Sequence, residues 1–234
     1  MRHARCLHSH RGLLLTLAVL ALCLSTPVQT RAGMPFQLAL GTAPGDVAAH
    51  LVGLSVGGRV EVFQEVASSS GRSLGRKWLP AEKGQALKIQ DQVKTYPGAR
   101  ARLQFTDQTE GPPPSGPSIF NIGGDTVIAI SEFKYRFDEP IPARGIIDLI
   151  RGKIRHFIRG LGQNSDFSVR AGVSVCRLRD AEAEVEYDPD SGRLLVQVHK
   201  GKVVVTSPYV SRIVKQGKSA MFIDGKDKSS GGPS

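Results

Sequence analysis

Arg193-Leu194-Leu195-Val196-Gln197-Val198-His199-Lys200-Gly201-Lys202-Val203-Val204-Val205-Thr206 is the stretch whose reading decides the fold. Leu194, Val196 and Val198 recur at every second position, the period of a strand with one buried face. A second apolar run, Val203-Val204-Val205, follows His199-Lys200-Gly201. The pair reads as a β-hairpin whose turn uses Gly201 for a backbone conformation that other residues resist.

The same grammar recurs outward from this stretch. Gly58-Arg59-Val60-Glu61-Val62-Phe63 alternates apolar and charged positions until Ser68-Ser69-Ser70-Gly71 breaks it. Ala101-Arg102-Leu103-Gln104-Phe105 ends at Thr106-Asp107, and Thr126-Val127-Ile128-Ala129-Ile130 resumes the pattern. Between them, Gly111-Pro112-Pro113-Pro114-Ser115-Gly116-Pro117 lacks the backbone donors to sit inside a sheet and reads as an exposed connection. Many short strands separated by turn residues predict an all-β, antiparallel-rich domain, built as a two-sheet sandwich or a short rolled β-helix. The domain is expected over residues 58–225, after a lead-in at 33–57 and before a disordered tail at 226–234.

One segment supports two local readings. Apolar residues at 146, 150, 154, 157, 158 and 161 fit helical spacing, with Arg151, Lys153, Arg155 and Arg159 as a basic face. Gly145, Gly152 and Gly160 oppose a helix, because Gly costs about 1 kcal/mol relative to Ala there, and Gly152 suits a turn or bulge between two strands. A real helix would favour contact with a membrane surface.

Composition sets the class. The chain of 234 residues is 40% hydrophobic and 22% charged, with 26 Gly and 14 Pro, the profile of a globular protein rather than of a collagen, a coiled coil or a disordered chain. Its formal net charge of +10 comes from 31 Lys and Arg against 21 Asp and Glu. Arg2, Arg5, Arg11 and Arg31 fall in the first 32 residues, so the remainder keeps 27 basic residues and an excess of six. The basic residues are spread out and rarely neighbour aromatics, so no nucleic-acid partner is expected.

The N-terminus points to export. Arg2, Arg5 and Arg11 precede the uncharged apolar run Leu13–Leu24, which ends at Ser25-Thr26-Pro27, the pattern of a secretory signal peptide over residues 1–32. Thr30-Arg31-Ala32 offers small residues where a signal peptidase reads, which places the mature start near Gly33; Val28-Gln29-Thr30 is a nearby alternative. The run is about a dozen residues long, short of the ~20 that a spanning helix needs, so no membrane span is expected in the mature form. Leu20-Ala21-Leu22-Cys23 is an alternative lipid-attachment site, disfavoured by bulky Leu22 where such sites carry a small residue. A periplasmic or secreted location follows.

Cysteine usage is consistent with that reading. Removal of the leader takes Cys6 and Cys23 and leaves Cys176 alone, which precludes an internal disulfide and a cysteine-rich metal site. Val173-Ser174-Val175-Cys176-Arg177-Leu178 alternates, so Cys176 reads as a buried strand thiol rather than a catalytic one, which would need a positioned base. Only His50, His156 and His199 remain as candidate bases of that type.

The order of several motifs from Gly58 to about Gly225 resembles the FecR-like periplasmic domain, a family named for the iron-dicitrate signalling regulator of Gram-negative bacteria. Trp78-Leu79-Pro80-Ala81-Glu82-Lys83-Gly84-Gln85-Ala86-Leu87 and Asp91-Gln92-Val93-Lys94-Thr95 resemble the family's opening, and Ala99–Asp107 its next strand. Ile147–Ile154 resembles a hairpin centred on Gly152, which favours strands over the helix. Val196–Val205 and Val214-Lys215-Gln216-Gly217-Lys218 resemble the closing motifs. The departure is Arg179-Asp180-Ala181-Glu182-Ala183-Glu184-Val185, which lacks the Gly, Thr and Phe of the family's Arg-Gly-Thr-x-Phe-x-Val and so calls that turn into question. Signalling members resemble a three-part machine with a cytoplasmic sigma-binding segment. About twelve residues precede the apolar run here, too few to fold into such a segment, so the resemblance implies the exported domain without the anti-sigma activity.

Residue patterns supply little enzymatic apparatus. The chain has no His-Glu-x-x-His or phosphate-loop pattern. Asp180, Glu182, Glu184, Glu186 and Asp188 would set five carboxylates along one strand face, which could attract a cation or a basic partner. The plainer reading is a solvated face that discourages edge pairing, with Arg177, Arg179 and Arg193 nearby to neutralise it. The expectation is an exported, non-enzymatic interaction module of the bacterial cell envelope that binds a protein or envelope polymer. No catalytic or metal-binding residue is assigned and no cofactor is expected. The alternatives are an envelope hydrolase using two carboxylates such as Asp148 and Glu184, held about 5 to 10 Å apart, or a membrane-anchored signalling regulator.

Overall fold

The structure, a computed structural model, describes residues 47–105, 118–134, 144–157 and 166–229, all within one compact unit, Gly41–Ser234. The leader, the Pro-rich connection at 111–117 and residues 230–234 lie outside the described residues. Among the described residues there is no helix. Fifteen strands join into one hydrogen-bonded, mostly antiparallel sheet. They are β1 (Val47–Leu54), β2 (Val60–Ala67), β3 (Ser73–Pro80), β4 (Ala86–Lys88), β5 (Gln92–Thr95), β6 (Ala101–Phe105), β7 (Ser118–Ile122), β8 (Thr126–Lys134), β9 (Arg144–Phe157), β10 (Asp166–Ala171), β11 (Ser174–Asp188), β12 (Arg193–Thr206), β13 (Ser211–Lys215), β14 (Ser219–Ile223) and β15 (Lys226–Asp227). The protein is therefore all-β.

Three long strands organise the sheet by changing partners halfway along. The first half of β9 pairs with β8 and, in parallel, with β10; its second half pairs with β7 and β11. β12 keeps β11 on one edge and exchanges β14 for β13 on the other. Each exchange coincides with a left-handed residue: Gly152 in β9 (φ 92°), Asp180 in β11 (φ 44°) and Gly201 in β12 (φ 75°). An inserted residue also shifts the two-residue alternation by one. Buried positions run 145, 147, 149 and then 154, 156 in β9; 174, 176, 178 and then 181, 183, 185 in β11; 194, 196, 198 and then 203, 205 in β12. The bulges keep apolar side chains inward through both halves.

These strands correct the turn expected at Gly201 and the hairpin implied by the resemblance at Gly152, where the bulge is the local reading that holds. Residues 193–206 form one continuous strand, and so do residues 144–157; Gly201 and Gly152 mark bulges inside them rather than hairpin turns. The helix considered for 146–161 is excluded as far as Phe157, and residues 158–161 lie outside the described residues. The two expected layers are hydrogen-bonded into a single sheet because the long strands run through both. A flat sheet has no second layer to cover one face, yet side chains from every strand between β1 and β14 except β3 share one core, so the sheet rolls over on itself. Phe105, Phe120, Phe133 and Phe167 meet in that core with ring centroids 5.1–6.5 Å apart.

Both ends of the domain extend past their expected limits. β1, in the stretch read as a lead-in, pairs with β4 and β6 and buries Ala48, Ala49 and Leu51. The expected disordered tail is structured as far as Ser229. β15 pairs with β14, Arg212 forms an ion pair with Asp227, and the Ser229 hydroxyl accepts a bond from the Met221 N–H at 2.9 Å.

Candidate interaction face

The chemistry-bearing residues of the sequence fall in three places. The first is the acidic row of β11, which is not a guarded edge, because β11 has neighbours on both sides. Lys153 of β9 bridges Glu184 at 2.9 Å and Glu186 at 3.3 Å, Arg155 pairs with Glu182, and Arg193 of β12 reaches Glu186 at 3.2 Å. The row is neutralised from β9 and β12, and of the three arginines expected to do this Arg193 pairs with Glu186. Lys153 and Arg155 are the residues that looked like the basic face of a helix. Hydrogen bonding to Glu184 raises the Lys153 pKa. The Ser191 hydroxyl, bonded to Asp188 at 2.5 Å, holds that carboxyl below its usual range. Among the described residues no group of three His, Cys, Asp or Glu could hold a metal ion.

Asp148 and Glu184 are not brought together. Asp148 receives two bonds from Arg170 and one from the Ser131 hydroxyl, whereas Glu184 pairs with Lys153 and lies opposite Arg155. Asp148 and Arg155 are seven residues apart on β9, about 23 Å of extended chain. Each carboxylate serves a different cross-strand ion pair. Where β9 changes partners, a cleft of about 380 Å³ is lined by Gly124, Asp125, Gly152, Lys153, Glu186 and Tyr187. Its charges are also paired, Asp125 with Arg151 at 3.1 Å.

The second place is the interior. Cys176 and His156 are fully buried. Burial pushes the Cys176 thiol up to about 12, the state of an inert structural thiol. His156 takes part in an inward row, Val198, Ala183, His156, Phe120, Leu103 and Leu51, that crosses six paired strands. Burial, with a smaller contribution from His199, lowers the His156 pKa to about 3, and neither ring nitrogen has a hydrogen-bond partner.

The third place was not assigned from sequence. It is the outer face of β3, β2 and β5. Val60 and Val62 of β2 and Val93 and Thr95 of β5 point into the core, which turns Glu61, Phe63 and Lys94 outward. Strand pairing sets Phe63 opposite Trp78 and Glu61 opposite Lys94. The Phe63 and Trp78 rings lie 5.2 Å apart. The Lys94 ammonium sits 5.8 Å from the Trp78 ring and 4.6 Å from that of Tyr96, the Arg59 guanidinium 4.4 Å from Tyr96, and the Arg76 guanidinium 5.3 Å from Phe63. Cations and rings thus alternate across three strands, contacts each worth roughly 0.5–1 kcal/mol at exposed sites.

Two of these cations are already neutralised. Arg59 donates to Glu61 Oε1 at 2.5 Å and Tyr96 Oη donates to Glu61 Oε2 at 2.8 Å; the Arg59 bond keeps the Glu61 carboxyl below its usual range. Arg76 donates to Asp91 Oδ1 at 2.9 Å and to the Gln90 carbonyl at 2.6 Å. Asp91 also accepts from the Lys88 N–H, and burial nevertheless raises its pKa. Lys94 has rings on two sides and, among the described residues, no ion pair, although its charge acts on Glu61 across the strand pair. Trp78, the only tryptophan of the chain, is 39% exposed, and Leu74 on the same strand is exposed too. A signal for this face exists in the sequence as Arg59, Glu61 and Phe63, Arg76 and Trp78, and Lys94 and Tyr96, each set at spacing two. Nothing local says that the three sets pair.

No family profile and no curated protein matches the chain. Two crystal structures from Parabacteroides distasonis, each named as a proposed anti-sigma factor, are similar to it in part. One has 14% identity and a TM-score of 0.40 over 54% of this chain and 53% of its own. The other has 13% identity and a TM-score of 0.39 over 55% of this chain and 57% of its own. The match therefore spans about half the length of each.

Proposed function

We propose that this protein is an exported, non-enzymatic interaction module of the bacterial cell envelope, allied to the FecR-like periplasmic domains, which binds a protein or envelope polymer. The observation that carries the reading is the face around Trp78, Lys94 and Tyr96. An exposed tryptophan and an unpaired ammonium, held by cross-strand packing and not needed to close the core, are features of a recognition surface. The carboxylates that a hydrolase would need are instead engaged in separate ion pairs, which gives the hydrolase reading no support. The signal-peptide pattern supports export, and the order of the FecR-like motifs supports the family. Among the described residues no helix is long and apolar enough to cross a membrane; the apolar run at 13–24 lies outside them.

Sedimentation of the purified domain with envelopes from its own bacterium tests the reading. The wild-type domain is expected to co-sediment saturably, and Trp78→Ala is expected to stay in the supernatant while still unfolding in one cooperative transition. Equal sedimentation of both proteins, or of neither, contradicts it.

A further inference from the structure

We infer that the Trp78, Lys94 and Tyr96 face binds a sparsely charged anionic glycan, a carboxylate-bearing sugar polymer lying flat across β3, β2 and β5. The inference rests on the interaction reading above and specifies its ligand. Aromatic rings offer apolar platforms to the C–H faces of pyranose rings, and an ammonium between two platforms offers a charge-assisted bond to a carboxylate carried on the sugar. Phe63, Trp78 and Tyr96 supply the rings, and Lys94 lies between the last two.

The charge pattern selects the ligand class. Lys94 lies opposite Glu61 in the register, but both oxygens of Glu61 are taken, one by Arg59 and one by Tyr96. Among the described residues its ammonium forms no ion pair, and its charge acts on Glu61 only at a distance, helping to hold that carboxyl below its usual range. Arg76 is spent on Asp91 and two carbonyls. A polyphosphate backbone would call for a series of unpaired cations along its track. This face provides one between aromatic rings, which suits a polymer with one charge among several neutral sugars.

Strand addition by a peptide is disfavoured at the same place. Among the described residues β3 pairs only with β2, and along its other edge Gly75 is left-handed (φ 87°) and Pro80 lacks an N–H. Exposed Lys77 adds the edge charge that natural sheets use against such pairing. The ligand therefore lies across the face rather than along the edge.

Trp78 reports on the site directly, because no other tryptophan contributes to the emission. The probes are oligogalacturonate methyl-esterified at all but one sugar, its fully methyl-esterified neutral form, and oligo-dT. The singly charged oligomer is expected to change Trp78 fluorescence saturably, with at least about tenfold weaker binding by the full ester and by Lys94→Gln, and with Lys94→Gln still unfolding cooperatively. Equal response to acid and ester overturns the anionic assignment, and tighter binding of oligo-dT overturns the glycan. If no probe responds while wild-type protein still co-sediments with envelopes and Trp78→Ala does not, the glycan inference fails and the interaction reading stands. If envelope binding is absent as well, both fail.

Discussion

Gly201 of β12 lies directly against Asp180 of β11, and both residues are left-handed. The Arg179–Lys202 pairing gives way to Glu182–Lys200 and then to Ala183–Val198, so each strand inserts one residue and the two insertions cancel. Register is the same on either side, and both strands turn their apolar sets inward again. A Cβ on Gly201 would stand 2.6 Å from the Asp180 carbonyl oxygen. Asp is among the few residues that tolerate this conformation.

Gly201→Ala should therefore cost more than its φ alone. Gly217 is also left-handed (φ 72°) but has open space where a Cβ would go. Urea unfolding is expected to show a loss of about 1–2 kcal/mol for Gly217→Ala and roughly 3 kcal/mol or more for Gly201→Ala, the excess being steric. Equal losses would show that the contact with Asp180 carries no weight.

Thr95 is a buried hydroxyl with two duties. It donates to the Gly123 carbonyl at 2.5 Å and accepts from the Thr126 N–H at 3.1 Å, which fixes the turn between β7 and β8. Thr95→Val keeps the shape and strands both groups, so a loss of about 1–3 kcal/mol is expected in denaturant unfolding. A change below about 0.5 kcal/mol would mean that water replaces the hydroxyl.

Asp91-Gln92-Val93-Lys94-Thr95 shows how much of this was legible in sequence. It stood out in the sequence only as part of a motif resembling the FecR-like opening, and the structure assigns each position: a buried carboxylate that holds Arg76, a core valine and the Thr95 clasp, with Lys94 turned outward. The all-β class was readable from local alternation in other strands. Gly152 was readable as a turn or a bulge and Gly201 as a turn, because a left-handed glycine between apolar runs looks alike whether the chain reverses or continues. What decides is pairing with distant strands, β8 and β11 for β9, β11 for β12. The Trp78 face and the Lys153–Glu184 bridge are equally non-local and had no contiguous signature.

His156 gives the fold a dependence on acid. In the folded state it stays neutral until about pH 3, whereas in the unfolded chain it takes up a proton at about pH 6.5. The unfolded state binds more protons between those values, so stability is full above about pH 6.5 and falls as pH drops toward 3, by on the order of 4 kcal/mol in all. Phe120, Ala183 and His199 surround the ring without offering it a carboxylate. Unfolding free energy is expected to decline from about pH 6.5 to 5, ahead of most carboxylate titration, with a shallower decline in His156→Leu. Parallel profiles would contradict the assignment.

Cys176 should behave as a core atom. Native protein at mildly alkaline pH is expected to resist iodoacetamide, with alkylation appearing only in denaturant, as intact mass would record. Rapid labelling of the folded protein would contradict a fully buried thiol.

Function outside the cytoplasm, as a folded interaction module, is the claim from which every statement about partners follows. N-terminal sequencing and intact mass of the native protein, after separation of soluble envelope, membrane and cytosolic fractions, test it most directly. The account expects a chain starting near Gly33 in the soluble envelope fraction. A chain starting at Met1 and retained in the cytosol would contradict it.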